Sequence, residues 1–147
     1  MRGMTLIVKC ITQLMAPSIF LVGIYVIFHG HLTPGGGFAG GVLMAGCFVL
    51  IVLAYGSEEA RSEVRKWRAS LSESIGIFIF WLLAMLGVIQ GSYFFYNVIA
   101  KVNPGQPYTL FSAGIIPLCN IAIGIEVAAS LFAIFITLAV LKVGEKL

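Results

Sequence analysis

Charged residues are scarce in this chain. Lys, Arg, Asp and Glu make up 10% of its 147 residues, whereas 60% are hydrophobic and the mean hydropathy is +1.04. Soluble domains average roughly 45–50% apolar and about 25% charged residues. The composition therefore indicates one integral membrane domain over residues 1–147. The net charge of +3 does not indicate a nucleic-acid partner, because no basic cluster accompanies an aromatic stacking surface outside the apolar runs.

Cysteine and histidine are also rare. The three cysteines, Cys10, Cys47 and Cys119, each stand alone in an apolar run. An odd and scattered set gives neither a disulfide framework nor a CxxC metal spacing, so we expect small buried apolar residues. The two histidines, His29 and His31, are too few for a catalytic zinc, which takes three protein ligands. We expect no metal site.

The familiar signatures of catalysis are missing. The sequence has no phosphate-binding glycine loop followed by Lys, no Ser-His-Asp or Cys-His arrangement, and no haem or iron–sulfur ligand set. Its glycine-rich stretch follows an apolar run and lacks the βαβ frame of a dinucleotide site. We therefore expect no cofactor and no active site within this chain.

Four long apolar runs are present instead, at about residues 5–28, 38–55, 75–100 and 118–141. A helix needs roughly 20 residues to cross an apolar core about 30 Å thick. The second run reaches that length only if its helix begins within the glycines. The pattern predicts an all-α polytopic membrane protein with four transmembrane helices. A signal peptide is the rival interpretation of the first run, but Lys9 and Gln13 interrupt that run and no A-x-A-like cleavage site follows.

The basic residues predict an orientation. With four helices, the N-terminus, the second loop and the C-terminus share one side, and only Lys101 lies on the other. Because cytoplasmic loops carry an excess of Lys and Arg, we expect both termini in the cytoplasm and the glycine-rich hairpin outside. The residues on the predicted inner side are Arg2, Lys9, Arg61, Arg65, Lys66, Arg68, Lys142 and Lys146.

The second loop, residues 57–74, resembles a short amphipathic helix. Ser57 is a candidate N-cap, and Glu58 and Glu59 follow in the first turn, where the helix dipole favours acids. Apolar residues recur at helical spacing, and charged residues occupy the other faces. The pattern predicts a helix lying on the inner membrane surface or on a partner subunit. The apolar positions are Ala60, Val64, Trp67 and Leu71.

Glu126 is the only acid inside any of the four runs. A charged acid near the centre of a membrane helix costs roughly 2.5–3.5 kcal/mol on insertion scales, so such residues are usually functional. The functional interpretation is a proton or cation path. The alternative is a neutral glutamic acid hydrogen-bonded to a neighbouring helix. The other candidates for such a path are His29 and His31 at the outer mouth, Gln90 deep in the third run, and Ser130 one turn from Glu126.

The hairpin at residues 29–41 reads HGHLTPGGGFAGG and contains both histidines but no Lys, Arg, Asp or Glu. Its GxxxG spacings are Gly36/Gly40 and Gly37/Gly41, and the third run repeats the spacing with Gly87/Gly91. Small residues four apart let membrane helices approach closely. They could pack the helices of this chain together. Because small faces occur on several helices, packing against further subunits is the favoured interpretation.

The hairpin motif, together with Pro17 and Tyr25, resembles the MnhB/MrpB family. These are the B subunits of multisubunit sodium/proton antiporters, with relatives in archaeal membrane-bound hydrogenase and sulfur-reducing complexes. The similarity covers most of the chain and is strongest over residues 14–56. The segment LFSAGIIP at 110–117, followed by Asn120 and Glu126, looks more like the redox-complex relatives.

The resemblance implies an accessory membrane subunit of a cation/proton antiport module in the cell membrane, either free-standing or within a hydrogenase-type redox complex. It implies other membrane subunits as partners, with Na⁺ and H⁺ as the transported ions. It also carries over Pro34 and Phe38 as functionally sensitive positions. The motif positions assigned to packing are Pro34, Gly35, Gly36, Gly37, Phe38, Gly40 and Gly41.

Two other classes remain open from the residues. Four helices with one intramembrane glutamate also describe a small homo-oligomeric drug/proton exporter, which would bind lipophilic cations when purified alone. A purely structural membrane adaptor would show no transport defect from any polar substitution.

Overall fold

A computed structural model describes residues 4–56, 63–102, 105–106, 108–109 and 112–144, including side chains except those of residues 63–70 and 140–144. Within these ranges the chain is helical, without strands. The helices are α1 (Leu6–His29), α2 (Gly37–Tyr55), α3 (Glu63–Ile89), α4 (Val98–Val102) and α5 (Ile116–Gly144). Four segments are long and apolar enough to cross a membrane: Leu6–His29, Gly37–Tyr55, Leu71–Ile89 and Ile116–Ala139. The predicted all-α membrane fold with four spans is confirmed.

The four long helices pack in the order α1–α2–α5–α3. Helix α2 contacts α1 on one side and α5 on the other, α3 packs against α5, and α1 reaches α5 only slightly. The last helix is therefore central. At one end of the bundle, here called the hairpin end, α1 is joined to α2. At the opposite end, the Met4 N–H donates a 2.9 Å hydrogen bond to the Ala54 carbonyl near the end of α2.

Helix α2 begins within the glycines, as its length required. Gly36 precedes it with φ of 128°, a conformation that residues with a Cβ rarely adopt. The turn before it is held by the His29 carbonyl. That oxygen accepts hydrogen bonds from the Leu32 and Thr33 N–H groups, both at 2.9 Å, and from the Thr33 hydroxyl at 3.1 Å.

Helix α3 differs from the prediction at both ends. It begins at Glu63 rather than near residue 75 and ends at Ile89 rather than near 100. Residues 63–74, predicted as a separate surface helix, therefore continue directly into the membrane-spanning part. The predicted cap at residues 57–59 lies outside the described residues. Which faces Val64 and Trp67 present stays a prediction, because those side chains are also outside the described part.

A Schellman motif ends α3. The Ser92 N–H bonds the Gly87 carbonyl at 3.0 Å and the Gly91 N–H bonds the Val88 carbonyl at 2.9 Å, with Gly91 at φ of 73°. Gly91 is thus a helix terminator and not half of a GxxxG packing pair. Gln90, expected deep in the membrane, lies in the exposed turn directly after the helix.

Gly91→Ala is expected to destabilise the fold by strain alone. A left-handed conformation costs a residue with a Cβ about 1–2 kcal/mol, and no atom lies within 4 Å of the position that a Cβ would take. The apparent melting temperature in mild detergent should fall. Gly46→Ala is the matched control, since Gly46 is helical and also faces open space. Equal melting temperatures of the Gly91→Ala and Gly46→Ala variants would contradict the assignment of Gly91 as the residue that ends α3.

Asn97 joins the loop after α3 to the start of α5. Its Nδ2 donates to the Ala113 carbonyl at 2.9 Å, and its Oδ1 accepts from the Ile115 N–H at 3.2 Å and the Ala100 N–H at 3.1 Å. The last of these caps α4 from the N-cap position. This role of Asn97 could not be predicted from the sequence, because Ala113 and Ile115, to which it hydrogen-bonds, lie 16 and 18 residues away.

Candidate functional site

The glycine-rich hairpin packs against the other helices of its own chain. A Cβ at Gly40 would lie 2.6 Å from the Gly23 carbonyl on α1 and would also collide with Ile27. A Cβ at Gly41 would lie 2.8 Å from the Gly124 carbonyl and 2.9 Å from Val127 Cβ, both on α5. Helix α2 therefore presents Gly40 to α1 and Gly41 to α5.

The same holds at the start of α2. A Cβ at Gly37 would collide with the Asn120 carbonyl on α5 and lie 2.8 Å from Ile123 Cβ. The favoured interpretation, that these glycines pack against further subunits, is therefore wrong for Gly37, Gly40 and Gly41. The small residues on α2 form two faces, and each face packs against a neighbouring helix of the same chain. The GxxxG spacing predicts close helix packing but does not distinguish a helix of the same chain from a helix of another subunit.

Other motif residues point away from the chain. Phe38, in the first turn of α2, is 66% exposed, and Pro34 is exposed in the turn before it. Gly35 is also exposed, although a Cβ there would lie 2.9 Å from Val26 Cγ1. Gly36 is half-buried and faces Asn120. The motif thus has an inward glycine side and an outward side formed by Pro34 and Phe38.

The two histidines are held at the hairpin end by different partners. The His29 ring stacks on Tyr25 with 4.1 Å between ring centres, and its Nδ1 lies 3.1 Å from the Tyr25 carbonyl. His31 Nε2 lies 3.4 Å from the Thr109 carbonyl, linking the first and third loops. Its Nδ1 is buried without a hydrogen-bond partner among the described residues.

Glu126 lies at the contact between α5 and α3. A Cβ at the buried Gly76 of α3 would be 2.9 Å from Glu126 Cβ, 3.0 Å from its N and 3.0 Å from the Ala122 carbonyl. Glycine at position 76 therefore lets the two helices touch beside the carboxyl group. Within the described part of the chain, that group has no hydrogen bond or ion pair. Glu126 is half-buried, so it is not surrounded by lipid on every side.

A second acid, Glu73, is half-buried on α3 near this contact. It lies in the first turn of the span Leu71–Ile89 and three residues before Gly76, hence on the same face of α3. Because α3 and α5 are antiparallel, Glu73 is one turn from the Gly76–Glu126 level, in the direction of Ser130. Glu73 was not among the predicted site residues, because the apolar run predicted that the third span starts at residue 75, four residues after Leu71.

The candidate path residues do not form one cluster. Glu126 lies ten residues into α5, about 15 Å along the axis from the hairpin end, where His29 and His31 are found. Ser130 is half-buried one turn further on, and Gln90 is exposed outside the helix. Glu126 lies at the α3–α5 contact, and helical spacing puts Ser130 on the same face of α5 and Glu73 on the same face of α3 as Gly76. The histidines belong to the loops.

Comparisons of the sequence and of the structure with known proteins point to the same family. A family model described as a domain related to the MnhB subunit of the Na⁺/H⁺ antiporter matches residues 7–141. The uncharacterized protein MJ1307 of Methanocaldococcus jannaschii is 37% identical over 131 residues, covering 86% of this chain and 49% of that protein. The mnhB2 protein of Staphylococcus aureus strain Newman, which carries the name of an antiporter subunit, is 37% identical over 59 residues, 40% of this chain and 42% of its own length.

A solved structure matches as well. One chain in the structure of the membrane-bound sulfane sulfur reductase, an archaeal respiratory membrane complex, superposes with a TM-score of 0.75 at 31% identity. The match covers 89% of this chain and 56% of that one. The chain thus spans about half the length of these relatives. Since the family model covers nearly the whole sequence and the helices superpose, this four-span membrane chain belongs to the MnhB-related family.

Proposed function

We propose that this chain is an accessory membrane subunit of a multisubunit cation/proton antiport module, of the kind built into archaeal respiratory complexes. The observation that carries the proposal is the superposition on a chain of the sulfane sulfur reductase complex over 89% of this chain. The name of the mnhB2 relative supports the antiporter side of the proposal. In this role the 147 residues act as one transmembrane unit in the cell membrane, with both termini cytoplasmic and the hairpin outside.

Glu126 is proposed to line an ion or proton path along the α3–α5 contact, with Glu73 and Ser130 as further polar groups. Its support is the cost of placing an acid within a membrane span, together with Gly76, which lets α3 approach α5 closely beside the carboxyl group. The chain itself carries out no catalysis in this proposal. Electron transfer, where present, belongs to other subunits.

Purification under mild conditions tests the assignment. A tagged copy of the full chain is expressed at its native level and extracted from native membranes in mild detergent. It should elute from a size-exclusion column in a large complex with other membrane proteins. A particle containing only copies of this chain that binds lipophilic cations would instead support a small exporter. A folded monomer without partners would contradict both.

Phe38→Ala is expected to weaken co-purification of partner subunits without lowering the stability of the chain. Phe38 is 66% exposed, so its removal leaves no cavity in this chain, yet it belongs to the outward side of the motif. Phe78→Ala is the matched control outside the motif, since Phe78 is 59% exposed on α3. Quantitative mass spectrometry of the purified complex provides the measurement. Equal loss of partners in both variants would contradict a specific role for the motif.

A further inference from the structure

A groove between α1 and α2 lies at the end of the bundle opposite the hairpin. Its volume is about 410 Å³, within the range of roughly 300–1,000 Å³ of small-molecule sites. Along its inner side, Cys47 Sγ lies 3.2 Å from the Ala16 carbonyl, which ties the two helices together. Phe20 and Phe48 form its far end, with ring centres 6.0 Å apart in an edge-to-face arrangement. The full lining is Thr12, Gln13, Ala16, Pro17, Phe20, Cys47, Phe48, Ile51 and Tyr55.

The side chain of Lys9 borders the end of this groove that is nearest to the start of α1. The α1 residues of the lining recur at helical spacing, and Lys9 continues their stripe by one turn towards the helix start. Lys9 Nζ lies 5.6 Å from the centre of the Tyr55 ring, and Tyr55 is itself part of the lining. Lys9 is not part of the lining, and the lining exposes only apolar surface, so a cation and an aromatic ring border one end of an apolar groove.

Gln13 supplies a polar group at the rim of the groove, outside its apolar interior. It lies on the exposed side of α1, and among the described residues its amide has no hydrogen-bond partner. A polar side chain facing hydrocarbon is costly unless something satisfies it. Gln13 lies four residues, about 6 Å, from Lys9 along the helix. The polar headgroup layer on each side of a bilayer is about 5–8 Å thick, so this step matches the distance from a lipid phosphate to the glycerol linkage.

We propose that this groove binds one anionic phospholipid. Lys9 pairs with the phosphate, and the Gln13 amide donates to the linkage oxygens. One hydrocarbon tail follows the groove past Pro17 towards Phe20. Basic pockets between membrane helices recognise anionic headgroups in this way. A lipid fits better than a partner helix, because a lysine borders the groove at the end nearest the start of α1, where a headgroup phosphate would lie.

Lipid binding to Lys9 variants tests the proposal. The full chain, purified in mild detergent with the subunits that accompany it, is titrated with phosphatidylglycerol or phosphatidylcholine, and bound lipid is counted by native mass spectrometry. The wild type should bind one phosphatidylglycerol in preference to phosphatidylcholine. Lys9→Gln should weaken phosphatidylglycerol binding about fivefold, the effect of one lysine near a membrane surface, and remove the preference.

Lys101→Gln is the matched control, because Lys101 Nζ lies 5.7 Å from the Tyr96 ring centre in the same kind of cation–π contact, yet away from the groove. Its lipid binding should equal that of the wild type. Equal losses in the two lysine variants, or no headgroup preference in the wild type, would overturn the proposal.

Filling the groove gives an independent test. Ile51→Trp should weaken binding of both lipids, whereas Leu53→Trp should not, because Leu53 is similarly exposed but lies outside the lining. Circular dichroism checks that both variants are folded. A photoreactive residue at position 51 should yield a lipid adduct. A cross-link to a polypeptide alone would show that a protein partner occupies the groove and would refute lipid binding.

Discussion

Gly40→Ala is expected to destabilise the chain by about 1–3 kcal/mol, the usual cost of forcing extra atoms into a packed contact. The added methyl group would meet the Gly23 carbonyl at 2.6 Å, and a backbone atom can yield only if α1 and α2 move apart. The loss should exceed the gain of about 1 kcal/mol that alanine normally brings to a helix. Reversible unfolding in mixed micelles, followed by circular dichroism, measures the effect.

Gly46→Ala makes the comparison specific. Gly46 lies in the same helix, but no atom lies within 4 Å of the position that its Cβ would take. The same substitution should therefore stabilise the chain slightly at position 46 and destabilise it at position 40. If both alanine variants unfolded alike, the close approach of α1 and α2 would be refuted. A Gly41→Ala variant should resemble Gly40→Ala, through the Gly124 carbonyl of α5.

Glu126→Gln is expected to abolish cation/proton exchange while the complex still assembles. Glutamine has almost the same shape, so the contact with Gly76 is kept, but it can neither release a proton nor pair with a cation. Exchange is measured with a pH-sensitive dye in vesicles containing the purified complex, relative to vesicles without it.

Glu126→Asp separates charge from shape. It keeps an ionisable group on a shorter side chain and should retain part of the exchange. Normal exchange in Glu126→Gln would contradict the path and leave Glu126 as a packing residue. Exchange lost equally in both variants, with the amount of complex unchanged, would show that geometry matters more than the carboxyl group. Glu73→Gln tests whether the path continues towards Ser130.

Some of this fold follows directly from local sequence. The number of spans and the start of α2 at Gly37 could be predicted, because the length of a membrane-spanning helix is fixed by the bilayer. The end of α3 was missed for a local reason. Gly91 fits both a packing motif and a helix cap, and only the backbone geometry decides between them.

The candidate site was less predictable, since its contacts join distant parts of the chain. Glu126 stands out in the sequence because an acid in an apolar run is costly, but its neighbour Gly76 is fifty positions away and carries no signal of its own. The link from His31 to Thr109 likewise spans 78 residues. Glycine spacing showed that helices approach closely. It could not show that the approaching helices belong to the same chain.

The central position of α5 has a consequence for how the protein matures. Helix α3 packs on α5, so a ribosome that has released the first three spans leaves the third without its lasting neighbour in the bilayer. Only the span formed by α5 can bring the third span together with the first two. Completion of the four-helix bundle therefore waits until α5 has been synthesised, and a chain shortened before Ile116 would contain the packed pair α1–α2 and a separate α3.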